Sequence, residues 1–428
     1  MRTLGIETSC DDTSAGVVDG VRVESNVVSS QIANHSQWGG VVPMLAKREH
    51  HRRIEFVLAK ALGFESLAKE LHSQMEGAEE AEGEHVEEGG GIKLNLAKSR
   101  MSYDETNPER VGEVDISRVL AEKNPGLELI AVTQGPGLAP SLEIGLEAAK
   151  NLAHAWGLQL VATNHMEGHF WSARLENEGV GEGLGGSSEG SAVPEEYEFP
   201  VLGLLVSGGH TDIHYSASLG SYELLGKTVD DAAGEAFDKV SVMLGLGYPG
   251  GKALEELAAK GQDPDMFELP VPMRASGDLN FSFAGLKTAA LYKLQELEKK
   301  YGQGEEIPRE VAANFAAKFQ QVVVESIIIK LRKAIELKSV GGRQVKSLYV
   351  GGGVVNNSAL VASISELCEQ FGVKLMLPRR EFLLDNGAMI ALAGQIAYEQ
   401  GRGVYKSSAG QNLYEGLDRK PEWKLIEL

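Results

Sequence analysis

Two hairpin-like stretches decide the fold of this chain. Residues 4–18 read LGIETSCDDTSAGVV, and residues 201–216 read VLGLLVSGGHTDIHYS. Each stretch predicts a strand, a short polar or glycine-rich turn and a returning strand. A third predicted strand, residues 347–350, runs directly into glycines at 351–353. Backbone N–H groups in such turns can wrap phosphate oxygens, so the three turns predict a nucleotide site; ordinary hairpin turns are the alternative.

Helices and strands alternate along the rest of the chain. Apolar spacing predicts a strand at 129–133 and helices over 43–62, 309–338, 358–370 and 386–400. This alternation indicates an α/β protein, and 428 residues favour two lobes over one core. The repeated hairpin resembles the two-lobed actin-like ATPase (ASKHA) fold, in which strand-hairpin and helix lobes are duplicated.

Two stretches interrupt this pattern. The first covers about residues 73–114, where seven glutamates crowd residues 76–88, and the second covers about 177–196 and is rich in Gly, Ser and Glu. Such compositions do not bury a core, so we interpret both as inserted loops. The predicted lobes are an N-terminal lobe of residues 1–160 plus 392–428 and a C-terminal lobe of residues 161–391.

Composition limits the classes of function. With 41 basic and 61 acidic residues the net charge is −20, which argues against a general nucleic-acid coat but leaves room for a local basic groove or a basic partner. The chain has only two cysteines, Cys10 and Cys368, so a disulfide framework is not expected. We see no targeting segment and no apolar run of membrane-spanning length, and we expect a cytoplasmic protein.

The sequence HMEGH at residues 165–169 predicts a metal site. His165 and His169 lie one turn apart on one face of a helix, where both rings can bind one ion, although a structural pair of histidines is the common alternative. Asn164 can cap the start of this helix. A third ligand is needed, and the carboxylate of Asp385 is a candidate; two histidines and a carboxylate suit iron, with zinc as an alternative.

The position of Glu167 argues against a metallopeptidase. Zinc peptidase motifs place a glutamate directly after the first histidine or directly before the second. Here the glutamate is in the middle of the pentapeptide and is expected to point away from the metal-binding face.

Several segments are candidates for nucleotide contacts. Residues 205–211 offer consecutive amides and hydroxyls, and residues 248–251 form a second close-approach turn. Asp238 can accept two hydrogen bonds from ribose hydroxyls, although acids on a helix are often only a solvated face. Asn357 could contact an adenine or a phosphate.

Taken together, these motifs resemble the TsaD family, the tRNA N6-adenosine threonylcarbamoyltransferases. The resemblance spans nearly the whole chain apart from the two insertions. It is carried by residues 5–11 (GIETSCD), 39–43 (GGVVP), 165–169 (HMEGH), 205–211 (LVSGGHT), 230–239 (DDAAGEAFDK), 248–251 (YPGG), 281–288 (FSFAGLKT), 352–357 (GGVVNN) and 385–390 (DNGAMI).

The resemblance implies a reaction. A threonylcarbamoyl group would pass from threonylcarbamoyl-AMP to N6 of adenosine 37 in tRNAs reading codons that start with A. By position, Asp11 would be the catalytic carboxylate of the first hairpin. His165, His169 and Asp385 would hold one divalent metal. The adenylate would be bound by Leu205, Val206, Ser207, Gly208, Gly209, Asp238, Gly251 and Asn357.

Partners follow from the same resemblance. We expect tRNA, a TsaB-like paralogue and a TsaE-like ATPase as partners, and a bacterial source. Candidate tRNA contacts, with a solvated helix face as the alternative, are Lys47, Arg48, Arg52, Arg53, Arg379 and Arg380. The alternative functions are a small-molecule kinase of the same fold, which leaves the histidine pair unexplained, a metallopeptidase, and a non-enzymatic scaffold in a tRNA-modification complex.

Overall fold

The computed structural model describes residues 1–36, 38–79, 92–93, 114–177, 197–302, 306–339, 344–405, 414 and 416–428. The strands are β1 (Arg2–Glu7), β2 (Asp12–Asp19), β3 (Arg22–Ser30), β4 (Ile92–Lys93), β5 (Leu129–Gly135), β6 (Gln159–Asn164), β7 (Glu176–Asn177), β8 (Val201–Val206), β9 (Thr211–Ser218), β10 (Ser221–Lys227), β11 (Glu306–Ile307), β12 (Ser347–Gly351), β13 (Lys374–Met376) and β14 (Val404–Tyr405). The helices are α1 (Ile32–Ser36), α2 (Pro43–Ala61), α3 (Glu65–Glu79), α4 (Ser117–Ala121), α5 (Ala139–Trp156), α6 (His165–Trp171), α7 (Ala233–Met243), α8 (Gly251–Ala258), α9 (Ala284–Tyr301), α10 (Arg309–Lys338), α11 (Ser358–Phe371) and α12 (Gly387–Glu399).

The two large sheets share one internal topology. Among the described residues their orders are β14-β6-β5-β1-β2-β3-β7 and β10-β9-β8-β12-β13. In each sheet three consecutive strands pair antiparallel, and two later strands extend the sheet in parallel beyond the first of them. The same arrangement therefore occurs twice in one chain, and the predicted two-lobed, actin-like α/β fold is confirmed.

The predicted elements agree closely with the observed ones. The ends of α2, α10, α11 and α12 lie within one residue of the predicted helices. Helix α3 continues to Glu79, so the first residues of the stretch interpreted as an insertion are helical. The remainder of that insertion, 80–91 and 94–113, and residues 178–196 of the second lie outside the described residues, apart from the short strand β4.

The lobe boundaries at residues 160 and 392 stay a prediction. Strand β6 spans the first boundary and pairs with β5 in the seven-stranded sheet, and α12 packs on the same sheet. In the part of the chain that the structure describes, we find no helix of the length and apolarity that crossing a membrane requires.

Helix α12 lies directly against the first sheet because glycines remove the side chains between them. Gly5 and Gly16 are cross-strand partners in β1 and β2. A β-carbon added at Gly5 would lie 2.1 Å from the backbone oxygen of Gly387, so the helix and the sheet touch through their backbones. Asn386 caps the helix by accepting from the N–H of Met389. This packing fixes Asp385, directly before the cap, beside the turn between β1 and β2.

Helix α6 lies between the two sheets. It follows β6 without a loop, and its N-cap is Asn164, whose side-chain oxygen accepts from the N–H groups of Met166 and Glu167, as predicted. On the side of the second sheet, a β-carbon at Gly203 would lie 2.1 Å from the ring of Phe170. Glycine in β8 therefore makes room for a helix that extends from the first sheet onto the second.

Candidate functional site

Three predicted metal ligands converge at the start of α6 and the start of α12. The rings of His165 and His169 have centroids 4.6 Å apart and are nearly perpendicular. The Asp385 Oδ1 atom lies 3.0 Å from His169 Nε2 and 3.5 Å from His165 Nε2. One ligand atom from each residue lies within 4.8 Å of the others, so the three side chains could hold one metal ion.

A fourth side chain, Glu7, orients the cluster and was not predicted from the sequence. It ends β1, is fully buried, and its Oε2 lies 2.9 Å from His165 Nδ1. The same carboxylate accepts from the Thr133 hydroxyl at 2.6 Å and from the Ser9 N–H at 2.5 Å. A proton on Nδ1 that points to Glu7 leaves Nε2 of His165 to face Asp385, as in carboxylate–histidine–metal sites. The signal in the sequence is an acid that directly follows the apolar residues Leu4, Gly5 and Ile6 at the end of the strand.

The charges of the cluster suit a cation. Burial alone would lower the pKa of His165, but Asp385 and Glu7 raise it to about 9. Burial would raise the pKa of Asp385, yet the two histidines hold it well below its usual range. The buried carboxylate of Glu7 and the partly buried carboxylate of Asp385 thus favour positive charge between them, and a proton on His165 supplies it when no metal is bound. Two imidazoles and a carboxylate are a donor set that fits iron or zinc.

The first hairpin turn carries Asp11 and is braced from α2 and α5. His50 Nε2 donates to the Cys10 carbonyl at 3.0 Å, and its Nδ1 accepts from the Thr13 hydroxyl at 2.8 Å. The Thr8 hydroxyl donates to the Ser141 carbonyl at 2.9 Å. Burial raises the pKa of Asp11, and the charge of Asp385 adds to this effect. Asp11, the predicted catalytic residue, is therefore close enough to the metal-binding cluster to interact with its charges.

The second hairpin turn closes on itself and leaves its glycines open. Leu205 and Val206 end β8 and are buried. The Ser207 N–H donates to the His210 carbonyl at 2.8 Å. Gly208 and Gly209 are exposed, and a β-carbon added at either would meet nothing within 4 Å. The turn offers exposed backbone with free space around it, as a phosphate-binding loop requires.

The second turn also interacts electrostatically with the metal-binding cluster. Burial lowers the pKa of His210 to about 4, and the nearby charges of Asp212, His165, His169 and Asp385 act on it as well. The histidine of the turn is therefore neutral near pH 7 and lies beside the cluster.

Asp238 lies close enough to Asp11 for the charge of one to affect the pKa of the other. Asp238, on α7, accepts from the Gly250 N–H at 2.6 Å. Burial raises its pKa to about 6, and the charge of Asp11 contributes to the shift. Gly251, the first residue of α8, has open space where a side chain would be.

Asn357 has a structural role in addition to the nucleotide contact predicted for it. Its Oδ1 accepts from the Leu360 N–H at 3.0 Å, which caps α11. Its Nδ2 donates to Gln320 Oε1 at 2.8 Å. Both polar groups of the side chain already have partners, and its contact with a nucleotide stays a prediction.

Glu167 does not face the metal-binding cluster. Its buried carboxylate accepts from Arg402 Nη2 at 2.7 Å and from the Tyr222 hydroxyl at 2.7 Å. The side chain lies on the opposite face of α6 from His165 and His169, as its spacing predicts. The base that a metallopeptidase needs is therefore absent from this position.

Comparison with known proteins shows the family. A family model described as TsaD, tRNA N6-adenosine threonylcarbamoyltransferase, matches residues 116–392. The tRNA N6-adenosine threonylcarbamoyltransferase of Bacillus subtilis is 35% identical over 426 residues, covering 98% of both chains. The chain belongs to the TsaD family. The enzyme of the same name from Anaeromyxobacter dehalogenans is 37% identical over 427 residues and 99% of each chain.

TsaD enzymes are named for threonylcarbamoyl transfer to N6 of adenosine in tRNA, and this chain is such a tRNA-modifying transferase. Among solved structures, the activator of 2-hydroxyisocaproyl-CoA dehydratase from Clostridium difficile aligns with a TM-score of 0.41. That alignment has 11% identity and covers 96% of this chain and 100% of the activator. The match of the TsaD family model includes the two histidines, Asp238, Asn357 and Asp385.

The basic residues considered for tRNA contact in this TsaD member are not a uniform surface. Arg53 is buried, and its guanidinium lies 3.1 Å from Glu49 Oε2 and donates to the Ser30 carbonyl at 2.7 Å. Lys47 pairs with Glu143 at 2.9 Å. The interpretation of Arg53 as a surface contact is wrong, because its charge is used inside the protein to hold α2 against β3.

Proposed function

We propose that this enzyme uses threonylcarbamoyl-AMP as donor and N6 of adenosine 37 as acceptor, in tRNAs that read codons starting with A. The observation that carries the proposal is the convergence of His165, His169 and Asp385 beside two different hairpin turns. Asp385 acts on the pKa of Asp11 in the first turn and on that of His210 in the second. A ligand at this point would touch both lobes.

The second lobe would bind the adenylate half of the donor. Its phosphate fits the open turn formed by Leu205, Val206, Ser207, Gly208 and Gly209, where exposed amides can donate to oxygens. Asp238 is held in place by the Gly250 N–H and would accept from the ribose hydroxyls. Gly251 and Asn357 would border the nucleoside.

The metal would be held by His165 Nε2, His169 Nε2 and Asp385 Oδ1. Iron is the ion we propose, with zinc as the alternative, because the donor set suits both. When bound, such an ion supplies Lewis-acid polarisation of donor oxygens. Glu7 holds His165 in the tautomer that presents Nε2 to the ion.

The chain's own residues would then align the two substrates and move one proton. N6 of adenosine attacks the carbamoyl carbon, the bond from that carbon to the phosphate oxygen of the donor breaks, and AMP leaves with the electron pair. Asp11 accepts the proton that N6 loses, and burial, which raises its pKa, makes it a better proton acceptor. Holding donor and acceptor together contributes to the rate by itself.

We also propose that partner proteins supply part of the tRNA surface. The chain carries a net charge of −20, and all four basic residues considered for tRNA contact on α2 have an acid within 4 Å. A polyanion requires local positive charge, which a TsaB-like paralogue and a TsaE-like ATPase could provide in the cytoplasm. The metallopeptidase alternative is disfavoured because Glu167 is turned away from the cluster and paired with Arg402.

The test is a transfer assay with mass spectrometry. The full chain is incubated with threonine, bicarbonate, ATP, a threonylcarbamoyl-adenylate synthase and unmodified tRNA, with and without bacterial partner proteins, and the digested tRNA is analysed. We expect threonylcarbamoyl-adenosine at position 37, lost on chelation and restored by added metal. A product that is indifferent to chelation would contradict the metal, and no product with intact adenylate and active partners would favour a scaffold or a kinase.

A further inference from the structure

We infer that Glu167, Tyr222 and Arg402 form a positioning network that sets the orientation of α6 and, through it, of the two metal-binding histidines. The inference rests on the proposed metal site. It concerns the face of α6 that the proposed chemistry does not use.

The network is centred on the buried carboxylate of Glu167, and its partners Tyr222 and Arg402 are half-buried. The Tyr222 hydroxyl donates to Glu167 Oε1 at 2.7 Å and accepts from Trp171 Nε1 at 2.7 Å. Arg402 adds two contacts to the same carboxylate, at 2.7 Å from Nη2 and 3.3 Å from Nη1. Glu167 is fully buried. A bidentate ion pair with arginine, combined with a hydrogen bond from a hydroxyl group, fixes both the position and the rotation of a carboxylate side chain.

The partners of Glu167 come from both lobes. Tyr222 lies on β10, at the edge of the second sheet. Arg402 lies between α12 and β14 of the first sheet, and its N–H donates to the Ala397 carbonyl at 2.8 Å. The carboxylate is therefore anchored to each lobe, and the two lobes together determine the orientation of α6.

Helix α6 depends on such anchors because it is short. It has seven residues, one of them Gly168, and a helix of this length has little stability of its own, so its orientation is set by its contacts with the rest of the protein. Glu167 and Trp171 lie one turn apart and meet the same Tyr222 hydroxyl, opposite the face that carries His165 and His169. A rotation of α6 that released this network would also carry the two imidazoles away from Asp385.

Glu167, Tyr222 and Arg402 are therefore positioning residues, because they affect metal binding only by orienting the two histidines. It explains why a buried charge lies in the middle of the HMEGH sequence without facing the metal site. A buried carboxylate that loses its partners is strongly destabilised, which is why conservative substitutions are needed to test it.

The experiment measures metal binding by the full chain and by three variants. Tyr222→Phe removes one hydroxyl, Glu167→Gln keeps the shape but removes the charge, and Tyr215→Phe on the neighbouring strand is the control, since its ring lies against Lys338 outside the network. The readouts are the dissociation constant for Zn²⁺ in competition with a chelator, the visible absorption spectrum with Co²⁺, and Tm.

We expect Tyr222→Phe to weaken metal binding by up to about tenfold and to change the Co²⁺ spectrum. Loss of a group bonded directly to a metal ligand costs about 10–100-fold, and Tyr222 acts one step further away, through Glu167. Glu167→Gln should weaken it further, because Arg402 loses its counter-charge, and Tyr215→Phe should match the unaltered protein. Folded variants that keep the original affinity and spectrum would overturn the inference while leaving the metal site intact. Absence of metal binding by the unaltered chain would overturn the metal site itself, and the inference with it.

Discussion

The turn after β1 and the turn after β8 occupy equivalent places in the two lobes, but they are built differently. In the first, the Thr8 hydroxyl donates to the Ser141 carbonyl and accepts from the Gly145 N–H at 3.2 Å, so the turn is held against α5. In the second, Gly208 and Gly209 have open space around them. We conclude that duplication produced one turn that holds acids at fixed positions and another that leaves its backbone available to a ligand.

The largest expected effect comes from removing a ligand of the proposed metal site, which lies between the two turns. His165→Ala should weaken metal binding by more than about 100-fold, because loss of a ligand exceeds the loss of an outer partner. Threonylcarbamoyl transfer should fall below detection, measured by mass spectrometry of the digested tRNA.

The matched control is His154→Ala, since His154 is exposed on α5 and is not part of the metal-binding cluster. It should bind metal and transfer the group normally. Full transfer by His165→Ala would contradict the proposed metal role.

The next effect concerns the packing that places Asp385 beside the first turn. Gly5→Ala would set a β-carbon 2.1 Å from the Gly387 oxygen, and overpacking of this kind costs about 1–3 kcal/mol of unfolding free energy. Metal affinity should fall as well, because α12 must shift. Urea unfolding and metal titration measure the two effects.

Gly277→Ala is the control, because nothing lies within 4 Å of a β-carbon there. It should leave both quantities unchanged. Equal stability of Gly5→Ala and the unaltered chain would show that α12 is not held by this backbone contact.

Local patterns predicted the fold better than they predicted the site. The hairpins, the long helices and the cap at Asn164 depend on neighbouring residues, and all are observed. The spacing of His165 and His169 also predicted their shared face. Glu7 was not predicted, because its approach to His165 is created only when β1 and α6 come together from distant parts of the chain.

The same physical reason explains why Arg53 was misinterpreted and why the structural role of Asn357 was not predicted. Arg53 has the character of a surface cation in the sequence, but tertiary packing buries it against Glu49. Asn357 has the character of a ligand contact, yet its side chain also caps α11. A residue type indicates which bonds a side chain can form, and only the packed structure decides which partners are near.

The packed first turn should also make stability depend on pH. Burial raises the pKa of Asp12 to about 7 in the folded chain, against a usual value of 3.8, and Asp11 contributes. The folded state thus holds a proton that the unfolded state has lost, so stability falls as pH rises from about 4 to 7. Asp12→Asn should therefore be more stable than the unaltered chain by about 4 kcal/mol at pH 8, since each unit of the pKa shift corresponds to about 1.4 kcal/mol, with little difference near pH 4.

Asp19→Asn gives the opposite sign in the same unfolding measurements. The N-terminal amine lowers the pKa of Asp19, so its contribution is present at neutral pH and is lost on acidification. A stability difference for Asp12→Asn that does not change with pH would show that this carboxyl is not protonated in the folded chain.

The smallest effects are expected from one substitution in each turn, and they test directly how the two turns differ. Thr8→Ala should reduce the unfolding free energy by about 1–2 kcal/mol, because it leaves buried backbone groups without partners. Gly209→Val should change stability by less than about 0.5 kcal/mol, as expected for an open surface position. It should instead weaken AMP binding, measured by calorimetry. Loss of stability without loss of AMP affinity in Gly209→Val would reverse the assignment of the two turns.

The most direct test of the account is anomalous X-ray diffraction from crystals of the full chain grown with Fe²⁺ or Zn²⁺. The account predicts one strong peak among His165 Nε2, His169 Nε2 and Asp385 Oδ1, with Glu7 still bonded to His165 Nδ1. Metal bound elsewhere, or no peak at this position at saturating metal, would contradict the proposal that the two lobes meet at a metal centre.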